Sequence, residues 1–254
     1  MNGQLMREVR ALLARRQPAL GYLVALAAAG VGTDLLVAAA VHQLPSFSQF
    51  ARREFSEDVL WRGVATLGHG SPLAWLAVVF AIVASAAIAG WLRACYLIAL
   101  GEGRYGLRAP RRIVTQLVLY WLVLELFFVA LTALADAGQG GIALVVQLLS
   151  TPAWLYAEYA IVFDETSLLR GSQRSLQMFR VRSRASILAV LLLFIASALA
   201  YGAFTNGFTD STHVQATYLG AWELVEALVV FVTDVVLLTL YRRTRLSEGE
   251  SAAS

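Results

Sequence analysis

Six long apolar stretches, separated by connections whose arginines fall almost entirely on alternate sides, constrain this chain more than any other feature. All twenty basic residues are Arg, and Lys is absent. Sixteen lie in the N-terminal tail, the second and fourth connections and the C-terminal tail. Only Arg52, Arg53 and Arg62 lie in odd-numbered connections, while Arg93 sits inside an apolar stretch. Crossing roughly 30 Å of hydrocarbon takes about 20 helical residues, and each stretch is long enough. Basic residues favour the cytoplasmic side of short connections, so the alternation predicts six membrane-spanning helices with both termini in the cytoplasm. The predicted spans cover residues 19–41, 73–100, 113–135, 142–163, 186–205 and 220–241.

Only helices and closed barrels satisfy their backbone polar groups in lipid, and these stretches are too long and too uniformly apolar for barrel strands. The expected fold class is therefore all-α, an integral membrane bundle of six transmembrane helices. With 59% hydrophobic residues and a mean hydropathy of +0.66, a soluble domain would lack polar surface. The pI near 9.2 would suit a nucleic-acid-binding protein. Here the arginines flank the spans instead of forming one face, so no nucleic-acid partner is expected. The absence of Lys beside abundant Ala, Gly, Val and Leu reads as codon bias in a GC-rich genome. Cys95 is the single cysteine, which rules out an internal disulfide and any cysteine-based metal cluster.

The connections complete the outline. Residues 1–17 form a cytoplasmic, basic, amphipathic lead-in with Leu5, Val9, Leu12 and Leu13 at helical spacing, and the apolar run after Pro18 exceeds a secretory signal core. The run is therefore read as a retained first span. Residues 18–241 form a single transmembrane domain, and residues 242–254 a short cytoplasmic tail expected to be disordered. Apolar residues from Phe47 to Leu67 recur at three- and four-residue steps, which predicts an outer-face amphipathic helix over about residues 46–67. It would lie either on lipid or over the bundle mouth. Gly138 to Gly141 form a tight turn joining the third and fourth spans. Pro152 at mid-depth in the fourth predicts a helix kink.

Ionisable residues within spans are costly in hydrocarbon and mark candidate sites. They are Asp34, Arg93, Glu125, Glu158, Glu226 and Asp234. At 1.5 Å per residue, Glu125 falls near the midplane, and Arg93 and Glu158 both lie roughly 8–10 Å toward the cytoplasm. Asp234 lies roughly 5 Å that way, and Asp34 and Glu226 roughly 7 Å toward the outside. Equal depth makes Arg93–Glu158 a structural ion pair, with Asp234 less close. The remaining carboxyls are hydrogen-bonded in neutral form or line a polar pathway. On the cytoplasmic side, Arg170, Arg174, Arg180, Arg182 and Arg184 alternate with apolar residues. This predicts an inner-face amphipathic helix over about residues 166–184, with guanidiniums toward anionic lipid or a protein partner.

Other patterns carry no chemistry. Gly101, Gly103 and Gly106 match a dinucleotide fingerprint, but a transmembrane helix precedes them where a strand is required. Gly68-His69-Gly70-Ser71 has no base or orienting group nearby, and His42, His69 and His213 read as outer-side loop residues. No catalytic residue, metal ligand or cofactor is expected.

Tyr159-Ala-Ile-Val-Phe-Asp164 followed by Ser175-Leu-Gln-Met-Phe-Arg180, and the Gly-Glu-Gly-Arg turn between Arg93 and Arg112, resemble a family of bacterial membrane proteins. The family comprises the glycerophosphodiester phosphodiesterase membrane domain and the YciC-like and DUF4013-like proteins. About half of the chain takes part, through motifs of low specificity. The resemblance implies a six-helix module of the bacterial inner membrane, sometimes joined to a catalytic domain. Thirteen residues follow Tyr241, too few for that domain, so hydrolase activity is not expected. The expected function is a non-catalytic partner-binding or lipid-organising module, possible also as a homo-oligomer; the alternative is a permease or transporter subunit with a polar pathway.

Overall fold

The computed structural model describes residues 3–40, 72–191 and 212–253. The outer-face helix predicted over residues 46–67, the glycine turn at Gly68 to Gly70 and most of the fifth span lie outside them. The described residues are all helical or in short connections, with no strand. The helices are α1 (Gly3–Arg16), α2 (Leu20–Ala40), α3 (Pro72–Glu102), α4 (Arg111–Leu134) and α5 (Gly140–Trp154). They continue as α6 (Ala157–Phe163), α7 (Leu168–Val181), α8 (described over 183–191) and α9 (Thr212–Ala253). Three stretches among the described residues are long and apolar enough to cross a membrane: Ile82–Glu102, Arg111–Leu131 and Ala137–Phe163. The chain is therefore a membrane protein of the all-α class.

Apolar residues line all sides of α3 and α4, so neighbouring helices and lipid share their surfaces. The packed core gathers at one end of the bundle, where Tyr96, Leu97, Leu100, Leu117, Ile161 and Leu238 are fully buried. Toward the other end, Leu76, Phe80, Leu148 and Leu149 are exposed, as lipid-facing side chains are. Lipid tails are as apolar as Leu, so close contact rather than hydrophobicity holds such helices together. At Gly90 the contact is backbone to backbone: a Cβ there would stand 2.5 Å from the amide nitrogen of Val118 on α4. The hairpin turn between α4 and α5 is a wide turn over Ala135–Gln139, and Gly138 takes the left-handed φ of 80° that reverses the chain.

The predicted kink has a second cause besides proline. In a continuous helix the Tyr156 N–H would bond the Pro152 carbonyl one turn earlier. Instead Ser175 of α7 inserts between them. The Tyr156 N–H donates to Ser175 Oγ at 2.9 Å, and that hydroxyl donates to the Pro152 carbonyl at 2.7 Å. A side chain inserted into the ladder breaks the helix, and α5 gives way to α6 at residues 155–156.

The fully buried Ser175 and Met178 seat α7 in the bundle. Gly171 packs on the Ala157 carbonyl, and the first N–H of α7 is capped by Gln116 of α4 at 2.8 Å. The inner-face helix is therefore not laid simply on a leaflet: one face is built into the protein. It is also shorter than predicted, ending at Val181 before α8 begins.

The terminal segments depart from the sequence reading. Leu5 and Val9 are buried, so α1 is packed through its apolar face, in part against α9. Beyond Tyr241, in the segment read as the cytoplasmic tail, α9 runs on to Ala253. Contacts hold the turn just beyond Tyr241 in place. Arg242 donates to the Gly101 carbonyl at 2.6 Å, Arg243 pairs with Glu8 at 2.9 Å, and Arg245 reaches the Phe163 carbonyl at 3.3 Å.

Candidate functional site

Arg93 is the centre of a buried polar cluster that joins α3, α6 and α9. Its guanidinium forks onto Asp234, with Nη1 to Oδ2 at 2.6 Å and Nη2 to Oδ1 at 2.9 Å. The Nε donates to Glu158 Oε2 at 2.8 Å, and Nη2 lies 2.7 Å from the same oxygen. The side chains of Arg93, Glu158 and Asp234 are 9%, 8% and 6% exposed, which removes water as a competing partner. Bidentate pairing is the strongest geometry available to a guanidinium, and Asp234 receives it.

Aromatic side chains enclose the cluster. The Tyr159 hydroxyl donates to Asp234 Oδ1 at 2.6 Å, and the guanidinium carbon of Arg93 stands 5.0 Å from the centre of the Tyr96 ring. Trp121 of α4 lies beside Glu158, with its buried Nε1 short of a hydrogen bond to any described residue. Tyr120 is buried beside Trp154, donating to that residue's carbonyl at 3.3 Å.

The sequence placed Arg93 beside Glu158, and the structure brings them together. It ranked Asp234 second, which is corrected: Asp234 takes both guanidinium prongs. The depth estimate treated each span as straight and centred, and the break at 155–156 displaces Glu158 from that scheme. Tyr96, one turn from Arg93 on α3, could have been found from its three-residue spacing. The Tyr159–Asp234 bond had no sequence signal.

Glu125 is half-buried on α4 and has no hydrogen-bond or ion-pair partner among the described residues. Asp34 lies on α2 and Glu226 on α9, but their side chains fall outside those described. Cys95 is buried. Among the described residues no three His, Cys, Asp or Glu side chains are placed to share a metal ion.

At the arginine-rich end the five basic residues of the inner-face segment divide. Arg170, Arg180 and Arg184 are exposed. Arg174 turns inward, with its Nε 3.8 Å from Asp164, and Arg182 donates to Thr244 at 3.2 Å. Asp164 also accepts from the Tyr241 hydroxyl and faces Arg245 Nε at 3.3 Å. These contacts fasten α7 and α9 to the end of α6.

The N-terminal helix is fastened to the same end by Glu8 and Arg243. The hydrogen bond from Arg243 holds the Glu8 carboxyl below its ordinary range, and Glu8 raises Arg243 in return. Burial, with the neighbouring Arg16 guanidinium second, pulls Arg242 down. The turn between α3 and α4 joins them through the Tyr22 hydroxyl, which accepts from the Gly106 N–H at 2.6 Å. Four separate arginine-bearing segments thus converge on one end of the bundle.

What the arrangement can do chemically is hold three helices by charge in a dry interior and present guanidiniums at one rim. Protein-family models, curated proteins and solved structures provide no match to this chain.

Proposed function

We propose that this chain is a non-catalytic module of the bacterial inner membrane, spanning it six times with both termini in the cytoplasm. It works by binding anionic lipid or a protein partner at its arginine-rich end. The observation that carries the reading is the division of the arginines between Arg170 and Arg184. Arg174 and Arg182 anchor the segment, leaving Arg170, Arg180 and Arg184 exposed, as are Arg104, Arg108, Arg111 and Arg112 of the connection between α3 and α4 and the start of α4. A rim of weakly hydrated guanidiniums suits phosphate headgroups.

Two measurements test it. Each surface arginine contributes at most about 1 kcal/mol at an anionic surface. The variant R170Q/R180Q/R184Q should therefore weaken association with anionic lipid by up to about two orders of magnitude. Native mass spectrometry of protein extracted with anionic or zwitterionic lipid reads the difference. Equal lipid retention by variant and wild type would remove the lipid arm, and crosslinking that also returned no partner would end the proposal. Orientation is read separately, after Cys95→Ala, by labelling Gln139→Cys and Arg170→Cys with an impermeant thiol reagent in intact cells. Gln139→Cys should label and Arg170→Cys should not.

The second reading, a permease subunit, draws on the broken fourth span and on Glu125, which has no partner among the described residues. Interrupted helices and isolated intramembrane carboxylates are features of transport sites. A Glu125→Gln variant that abolished proton or solute flux in proteoliposomes would favour it.

A further inference from the structure

The charges of the Arg93 cluster do not balance. Arg93 supplies one positive charge, and Glu158 and Asp234 supply two negative ones. Every other described group facing them is uncharged: Tyr96 on α3, Tyr120 and Trp121 on α4, and Tyr159 on α6. The two carboxylates are also unequal. Asp234 accepts from Arg93 at both oxygens and from the Tyr159 hydroxyl at one, so it is the counter-ion of the guanidinium. Glu158 meets Arg93 through Oε2 alone, and its Oε1 is buried without a hydrogen-bond partner among the described residues, the Trp121 Nε1 beside the carboxylate being equally unsatisfied. The hydroxyl of the fully buried Tyr96 is likewise without a hydrogen-bond partner among the described residues.

A carboxylate oxygen buried in a bundle interior without a donor is among the least favourable arrangements a membrane protein can hold. We propose that Glu158 Oε1 is the seat of one monovalent cation, a proton or a sodium ion, which brings the Arg93 cluster to neutrality. A proton would convert Oε1 into a hydroxyl donor. A sodium ion would take Oε1 as an oxygen ligand. The shared chemistry is a single positive charge on the oxygen that Arg93 leaves free, and Arg93–Asp234 persists as a neutral pair in either case.

The full chain, purified in nanodiscs, is melted from mildly acid to mildly alkaline pH, with sodium or choline chloride at equal ionic strength. A carboxyl that keeps its proton when folded and loses it when unfolded binds more protons in the native state, so stability falls as pH rises. That slope, independent of sodium, identifies the proton. A melting temperature that climbs with sodium and not with choline at alkaline pH identifies the metal ion, by mass action on the folded state.

Glu158→Gln places a neutral amide at the site and should flatten both responses. Asp234→Asn also removes one negative charge and should flatten them if Glu158→Gln fails to fold. Infrared spectra of the wild type need no folded Glu158 or Asp234 variant. A protonated-carboxyl absorption that persists at neutral pH and survives Glu125→Gln supports the proton. Wild-type protein with no such absorption and no sodium response overturns the proposal. So do pH and sodium responses that Glu158→Gln and Asp234→Asn leave unchanged.

Discussion

Replacing Arg93 by Met tests the buried cluster most directly, because Met approximates the volume of the arginine stem and isolates the loss of charge. In the native state the guanidinium makes two contacts to Asp234 and two to Glu158. With side-chain exposures of 9%, 8% and 6%, solvent screening does not discount them. Removing one partner of a buried ion pair costs about 3–5 kcal/mol, chiefly because the group left behind is charged and dry. A chain of this size shifts its melting temperature by roughly 2–4 °C per kcal/mol, giving a loss of about 6–20 °C. The loss should persist in added salt, since buried pairs are little screened.

The variant R93M/E158Q/D234N, with no charge left to strand, should recover most of the deficit. Thermal denaturation in one detergent, read by intrinsic fluorescence, supplies both comparisons. Arg93→Met melting within about 2 °C of wild type would mean that the cluster does not hold the helices, and the reasoning would fail.

Three further outcomes are expected. Ser175→Ala strips the Tyr156 N–H and Pro152 carbonyl of their inserted partner, and leaving buried polar groups unsatisfied costs about 1–3 kcal/mol each; a melting temperature equal to wild type would show that the ladder closes unaided. Gly90→Ala puts a methyl 2.5 Å from the Val118 backbone, so α3 and α4 must separate at a cost of about 1–3 kcal/mol, visible in the same melt. At the basic end, the folded-state Glu8 carboxyl is depressed, so its contribution is present above the ordinary carboxylate range and lost as pH falls through the folded value. Cleavage of α1 by an arginine-directed protease should quicken on acidification, in high salt, and at neutral pH in Glu8→Gln.

Periodicity and arginine placement were enough to mark α2, α3 and α4 within a few residues, because apolar length is dictated by bilayer thickness. They also paired Arg93 with Glu158, since an unaccompanied guanidinium in a span requires a partner at its own depth. What they could not yield was anything set by side chains crossing between helices. Asp234 outranks Glu158 because of how α9 is rotated, and rotation leaves no trace in a segment that is apolar all round. Ser175 read as an unremarkable polar residue on an amphipathic helix; its insertion into another helix depends on a junction fixed only in three dimensions. The tail after Tyr241 looked too polar to be ordered, yet Arg242, Arg243 and Arg245 each find a partner on a different element.

The inserted Ser175 hydroxyl also makes α7 a wedge. One residue separates the Tyr156 amide it holds open from Glu158, and the wedge rides on the helix whose outer side displays Arg170 and Arg180. The serine thus ties the helix that bears the exposed guanidiniums to the backbone beside the buried charges.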